Sequence, residues 1–333
     1  MCGRAAQTIG MVYAASNSLK SEPNFQGKVV DKICPRVDNF NLSPGHDAVV
    51  ITLNHKGELV LERKIWGLVT KGATRNSPIP EGKSKHFSNL MFNARADTLF
   101  EKPTFSRLLN ERGKTCLVAF DGFFEWKPLI GKMKQPYFVS RKVPVDGIGT
   151  SRPYILMAGL WTSVNTGYSF PKPATLDTFA ILTTEVCNPL RWLHSRMPVC
   201  VWDEALAVQW LKQPSQKLLR QLDEGANKTH GMMLQWHAVS TQMSSTKYRG
   251  TDSIVAIPKL KSIKSFFAPV GNSTTEKTKN VKRKDTKNKI ANAKRTVATS
   301  ACQESNLYTQ NKKQKSVKKG SISSFFLPSS GKS

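Results

Sequence analysis

Cys116-Leu117-Val118-Ala119-Phe120 runs directly into Asp121-Gly122-Phe123-Phe124-Glu125-Trp126, and this stretch decides the fold. Its first five residues read as a buried strand, too short for a helix. Tyr137–Ser140 continues the sheet. Working outward, Ala48–Leu53 and Leu59–Leu68 read as paired strands around the turn Asn54-His55-Lys56-Gly57. Phe92–Ala96, Tyr154–Trp161, Phe179–Thr184, Val199–Trp202, Trp236–Ser240 and Ile254–Ile257 are further strand candidates. Helices are few and short: Thr8–Ser16, Phe105–Asn110, one capped by Asp203 with Leu206, Trp210 and Leu211, and one carrying Leu218, Leu219 and Leu222. Many short strands and few helices imply an α+β domain built on an antiparallel, barrel-like sheet with short peripheral helices. Residues 21–47 read as polar and turn-rich, 70–89 as a long polar loop and 141–152 as an irregular insertion.

Within the opening stretch, Glu125 stands between Phe124 and Trp126 in the densest aromatic run of the chain. A carboxylate partly buried there has its pKa raised toward neutrality, which suits general acid–base work. The alternative is a surface glutamate whose neighbours face inward. Asn93 and Arg95 lie two apart, so on an extended segment they share a face. One could hold a nucleophile and the other a phosphate; the alternative is a turn asparagine beside a solvent-exposed arginine. His194 precedes Ser195-Arg196-Met197-Pro198 and can exchange protons near neutral pH, or can be an ordinary hydrogen-bonded histidine. Trp66 could stack on a base or fill the core.

Cys2 comes directly after Met1, in Met1-Cys2-Gly3-Arg4. Its small side chain permits an aminopeptidase to remove Met1. Cys2 would then carry a free α-amine and a thiol on adjacent carbons. Such a 1,2-aminothiol attacks an aldehyde through nitrogen to give an imine, and the thiol closes on the same carbon to give a thiazolidine. An α-amine titrates near pH ~8, so part of it is nucleophilic at neutrality.

The 333 residues carry 50 Lys and Arg against 23 Asp and Glu, a net charge of +27 that favours a polyanionic partner such as nucleic acid. Residues 259–333 hold 18 of the cations and only 3 of the acids, so the remaining body is basic too. A basic tail alone suits a nuclear address; a basic body suggests a binding face. Six cysteines without a CxxC pair argue against a zinc site, and no cofactor or metal is expected. No signal peptide and no membrane-spanning apolar run is apparent, so a reducing intracellular compartment and no membrane partner are expected; a monomer is expected as well.

Seven motifs occur in order: Met1-Cys2-Gly3-Arg4, Asn41-Leu42-Ser43-Pro44, Trp66-Gly67-Leu68, Asn93-Ala94-Arg95-Ala96, Asp121 to Trp126, Ala158-Gly159-Leu160-Trp161 and His194 to Pro198. Together they resemble the SOS response-associated peptidase (SRAP) family, over about residues 2–257. The resemblance implies a domain that crosslinks to abasic sites in single-stranded DNA through a mature N-terminal cysteine, the role of Cys2. It implies that Asn93 positions the cysteine and that Glu125 shuttles protons. His194 would serve sugar-ring opening and reversal of the crosslink. Arg4, Arg95 and Arg196 would contact DNA, with Thr183 and Trp66 beside them. Phe124 stands where a tyrosine is frequent, and Val69-Thr70 where a proline is usual. Three other readings remain open: an N-terminal-nucleophile amidotransferase, a cysteine peptidase acting through Cys2, and a non-covalent reader of modified DNA bases.

Residues 258–333 lose their large apolar residues and read as a disordered basic tail. The tail repeats a motif: Ser262-Ile263-Lys264-Ser265-Phe266-Phe267-Ala268-Pro269 and Ser321-Ile322-Ser323-Ser324-Phe325-Phe326-Leu327-Pro328. One helical turn puts Ile322 on the side of Phe325 and Phe326. That resembles the PIP-box, which docks on the replication sliding clamp, although Lys319 stands where glutamine belongs. Lys282-Arg283-Lys284 and Lys312-Lys313 fit nuclear import. A nuclear tail that docks at replication forks is therefore expected. Replacing Phe325 and Phe326 by alanine is expected to reduce clamp capture in a pull-down while leaving the chemistry of the body intact; a wild-type tail that does not bind the clamp refutes this docking.

Overall fold

The computed structural model describes residues 2–69, 90–142, 153–165 and 175–258, the side chains of 224–232 excepted. The expected loop at 70–89, most of the insertion at 141–152, and the tail with Ile322, Phe325 and Phe326 lie outside the described residues.

The strands are β1 (Ala5–Gln7), β2 (Val29–Asp31), β3 (Asn39–Leu42), β4 (Asp47–Leu53), β5 (Leu59–Trp66), β6 (Asn93–Arg95), β7 (Thr115–Phe120), β8 (Gly122–Pro128), β9 (Lys134–Arg141), β10 (Ile155–Asn165), β11 (Thr175–Glu185), β12 (Arg196–Pro198), β13 (Cys200–Val201) and β14 (Leu234–Ala238). The helices are α1 (Ile9–Lys20), α2 (Pro103–Asn110), α3 (Glu204–Lys212) and α4 (Gln216–Met233). One sheet runs β12-β11-β10-β7-β4-β5-β2, and β5 also pairs in parallel with β11 through Thr178↔Ile65 and Phe179↔Trp66. That pairing closes β11, β10, β7, β4 and β5 into a barrel. The second sheet runs β14-β9-β8-β1-β3 and is antiparallel throughout.

Alternation along the barrel strands divides the core. Cys116, Val118 and Phe120 join Val50, Trp66, Ile155, Met157, Phe179 and Ile181 in one cluster. Leu117 and Ala119 join Ile51, Leu156, Ala158 and Leu182 in another, together with Val12 and Leu19 of α1, Leu108 of α2, Val208 and Trp210 of α3 and Leu218 of α4. The strands are thus apolar on both faces, one filling the barrel and one receiving the helices. This is why β7 reads as an unbroken apolar run. Phe123 of β8, Val139 of β9, Ala5 and Cys2 belong to the barrel-filling cluster, so the second sheet packs over one end of the barrel. Gln7 stitches the two sheets. Its Nε2 donates to Val49 O (2.9 Å) and Ala119 O (3.0 Å), and its Oε1 accepts from Val49 N at 2.7 Å.

Several elements depart from expectation. β1, β2 and β3 have three or four residues each, too few to show a period. α1 runs on to Lys20, and α4 is 18 residues long where a short helix was expected. Ile254–Ile257 is not a strand. Thr251–Ile254 forms a 3-10 turn, held by Ser253 Oγ on Gly250 O at 2.6 Å, and only Ala256 bridges to Val239. Val255 is 57% exposed, so this β-branched run has no sheet to bury it.

The local departures from the family pattern have physical reasons. Phe124 is fully buried against Phe138, with ring centroids 4.9 Å apart, where a hydroxyl would need a partner. Val69 N donates to Thr178 Oγ1 at 3.1 Å, a bond a proline cannot make. Gly67 has φ +131°, and a Cβ there would lie 2.6 Å from Leu90 Cδ1, so glycine is required.

Asn41 ties the C-terminal segment of the domain to the N-terminal one. It is fully buried. Its Nδ2 donates to the carbonyls of Met243 (2.9 Å), Ser245 (3.0 Å) and Tyr248 (3.0 Å), and its Oδ1 accepts from Arg4 at 2.7 Å. Replacing it by alanine takes one donor from each of three carbonyls and leaves a buried guanidinium N–H of Arg4 without its acceptor. Asn41→Ala is expected to lower stability by about 3 kcal/mol, read as a shift in the urea midpoint at unchanged slope; a loss within ~0.5 kcal/mol would show that water replaces these bonds freely.

Candidate active site

Strand β1, three residues along the chain, holds Cys2 in place. Ala5 pairs with Leu42 on one side and Phe123 on the other, and Phe124 N donates to Arg4 O at 2.9 Å. That register carries Gly3 and Cys2 alongside Glu125. From the opposite side β6 pairs in parallel with β11, Ile181↔Asn93, which turns Asn93 toward Cys2. Asn93 Nδ2 donates to Cys2 O at 2.8 Å. Asn93 Oδ1 is buried and has no hydrogen-bond partner, so this side chain retains an acceptor beside the cysteine.

Glu125 is 4% exposed, which decides against a surface glutamate. Burial pushes its carboxyl up to about 7, against a smaller opposing pull from the α-ammonium at the chain start. The Cys2 thiol is fully buried, and its pKa is raised well above the usual thiol range, first by burial and then by the Glu125 charge. The thiol is therefore neutral at physiological pH, and a proton acceptor must accompany any attack by sulfur.

His194 comes after the short 3-10 turn Asn188–Leu190, with its N–H on Leu190 O at 3.2 Å. His194 Nδ1 lies 3.0 Å from Arg196 N and 3.2 Å from Arg196 O, so it accepts from the first or donates to the second according to the tautomer. Burial and the chain-start ammonium lower its pKa, so the ring is neutral at pH 7. Glu125 and His194 line one narrow cleft, together with Phe123, Leu193, Arg196 and Met197. A carboxyl raised and an imidazole lowered in the same cleft form a pair able to take and give protons near neutrality.

The structure thus brings together Cys2, Asn93, Glu125, His194 and Arg196. Arg196 donates to Thr183 O (2.6 Å) and pairs with Asp97 Oδ1 (3.2 Å), while its Nε is buried without a hydrogen-bond partner. Arg95 is exposed and pairs with the same carboxylate at 2.5 Å. Asp97, which sets both arginines, was not singled out in the sequence; an acid two residues after Arg95 was its only signal.

Three of the residues expected to contact DNA are buried in this structure. Trp66 is fully buried, stacked on Phe179, with Nε1 donating to Phe92 O at 2.9 Å, so its ring fills the core. Thr183 is fully buried in β11, beneath Arg196. The Arg4 guanidinium is spent on Asn41, Met243 O and Ser244 O, and lies 5.5 Å from the Trp126 ring centre. Next to the cleft, Trp192, Tyr137 and Trp236 form an aromatic cluster that single-residue reading missed. Among the described residues no group of three His, Cys, Asp or Glu could hold a metal ion.

The family described as SOS response associated peptidase (SRAP) matches residues 1–246. The abasic site processing protein HMCES of Xenopus tropicalis is 28% identical over 286 residues, covering 77% of this chain and 78% of that protein. The abasic site processing protein YoaM of Bacillus subtilis is 29% identical over 202 residues, covering 60% of this chain and 74% of its own length. A crystal structure of a protein from Bacteroides thetaiotaomicron shares the fold, with a TM-score of 0.52 at 19% identity over 77% of this chain and all of that one. The N-terminal cysteine, the motifs around it and this match over most of the chain agree: the protein belongs to the SRAP family.

Proposed function

We propose that this protein is an enzyme that processes abasic sites in DNA by capturing them covalently, in single strands, through Cys2 freed of Met1. The observation that carries the reading is the placement of a buried, neutral cysteine next to a carboxyl that titrates near 7 and an asparagine with a vacant acceptor. The family and the abasic site processing names of its relatives support the substrate.

The ring-opened abasic sugar presents an aldehyde. The Cys2 α-amine attacks that carbon, and the resulting carbinolamine loses one water to give an imine. The thiol then adds across the C=N bond, sulfur to carbon and its proton to nitrogen, which closes a thiazolidine. Asn93 fixes the Cys2 carbonyl and offers Oδ1 to the amine. Glu125 takes the proton released by the attacking nitrogen and returns it to the departing hydroxyl. His194 donates a proton to the sugar-ring oxygen as the ring opens, and by microscopic reversibility serves release. Arg95 and Arg196 contact the strand's phosphates. In the same proposal the protein is monomeric, and its basic tail carries it into the nucleus and onto the sliding clamp at replication forks.

Incubation of the Met1-free protein with single-stranded DNA bearing an abasic site is expected to give a heat-stable adduct, seen by gel and by mass as the sum of the two less one water. Cys2→Ser keeps the amine and is expected to form only a reversible imine. A blocked or extended N-terminus is expected to form no stable adduct. Equal crosslinking with an uncleaved tag would refute the mechanism.

Glu125→Gln is expected to slow capture by about 10²-fold or more with little change in DNA affinity, and to flatten the pH dependence around 7. Stability carries a second signature. The carboxyl ionises at its usual 4.5 in the unfolded chain and at about 7 when folded. Ionisation therefore opposes folding increasingly as pH rises between those values. Relative to wild type, Glu125→Gln should gain stability between pH 4 and pH 8, on the order of 2–3 kcal/mol, measured by denaturation at both pH values. No relative gain would mean that Glu125 is ionised at no cost in the fold.

A further inference from the structure

The end of the barrel opposite the Cys2 site carries a cavity of its own. The strands that supply the Cys2 site with one terminus supply the opposite rim with the other. β7 leaves Lys114 at its start and delivers Phe120 toward Glu125 at its finish. β5 begins by the turn at Asn54–Gly57 and ends at Trp66, which bonds Phe92 beside Asn93. β10 runs from Ile155, opposite Phe120, to Trp161 and beyond. Six residues of strand separate the two rims by roughly 20 Å.

At that far rim lies a cavity of about 590 Å³, within the range of ligand-binding clefts. Its floor is apolar, from Leu53, Val60, Leu211 and one side of Trp161. Its rim is cationic: Lys32, Arg112, Lys114 and Lys212 all line it. The one carboxylate in the lining, Glu62, pairs with the buried Lys64 at 2.7 Å, an ammonium that also bonds Asp177 at 2.9 Å. Lys114 has Glu111 at 3.4 Å, and Lys212 donates to Asn24 O at 2.8 Å. Lys32 and Arg112 are exposed and pair with no carboxylate among the described residues. Trp161, from the Ala158-Gly159-Leu160-Trp161 motif that the Cys2 chemistry leaves unused, is built in rather than loose. Its Nε1 donates to Gly113 O at 2.7 Å, and Lys64 and Lys114 Nζ lie 3.7 and 4.2 Å from its ring centre.

An apolar floor beside Lys32 and Arg112, two exposed cations paired with no carboxylate among the described residues, fits a ligand that is apolar on its faces and anionic along its backbone. A single nucleic-acid strand has that character, whereas the faces of a duplex are stacked out of reach. We infer that this cleft is a second, lesion-independent site for single-stranded DNA, holding unmodified nucleotides of a strand with phosphates on Lys32 and Arg112 and a base over the floor. It adds to the proposed capture at Cys2 without depending on it, since its ligand has no aldehyde.

The test uses the full-length protein with a short lesion-free oligothymidylate. Backbone hydrogen exchange is expected to slow at 53–57 and 111–114 when the oligonucleotide is added. Lys32→Glu with Arg112→Glu is expected to abolish that local protection, to weaken binding about tenfold, and to reduce the salt slope by about 0.7 for each lost contact. Lys102→Glu with Lys132→Glu, two exposed cations outside the cleft, controls for charge alone and is expected to retain the protection. The double reversal in the cleft should leave the yield of adduct with a short abasic oligonucleotide unchanged at saturation. Absence of protection at these segments, or protection that survives the double reversal, overturns the site; failure of the aldehyde adduct with the protection intact overturns only the Cys2 mechanism.

Discussion

β1 is hydrogen-bonded on both edges, to β3 and to β8, and the rest of the site depends on that pairing. Chain termini fray unless something fastens them. Here three residues form an interior strand of a five-stranded sheet, with Arg4 fixed on one side by Asn41 and Gln7 spliced between β4 and β7. The last free length before Cys2 is therefore two residues, and Asn93 fixes the Cys2 carbonyl as well. A side chain that would otherwise sample solvent is held at the mouth of a barrel.

Burial then sets the chemistry. The same loss of solvation raises the carboxyl of Glu125, lowers the imidazole of His194 and keeps the thiol of Cys2 protonated. Each group is displaced toward its neutral form. Proton transfer among neutral groups requires little charge separation in an apolar cleft, which suits the successive proton movements of the proposed imine and ring formation. An ion-paired thiolate would suit acyl transfer better.

The cations divide by partner. Arg4 is a structural crosslink, Arg95 and Arg196 share Asp97 next to the cleft, and Lys64 is a fully buried ammonium held by Glu62 and Asp177. Lys32 and Arg112 at the far rim are open to solvent. Net charge counts these alike, but only the exposed ones project a field toward a polyanion.

The apolar strands around β7, the turn at Asn54–Gly57, the Asp203 cap and the aminothiol potential of Cys2 were legible in the chain, since these rest on local period, turn chemistry and covalent structure. The ordered motifs identified the family. The tertiary structure alone decided that Glu125 faces inward, that Trp66 and Thr183 are walled off, and that the Arg4 donors are consumed. It alone closed the barrel through β5 and β11, and it alone gathered Lys32, Arg112 and Trp161 around one cavity. The reason is physical. A strand that is apolar on both faces has no alternation from which to read inside and outside, and a three-residue strand has no period at all. Burial, hydrogen-bond partners and the sharing of a carboxylate between two arginines are set by residues a hundred positions away.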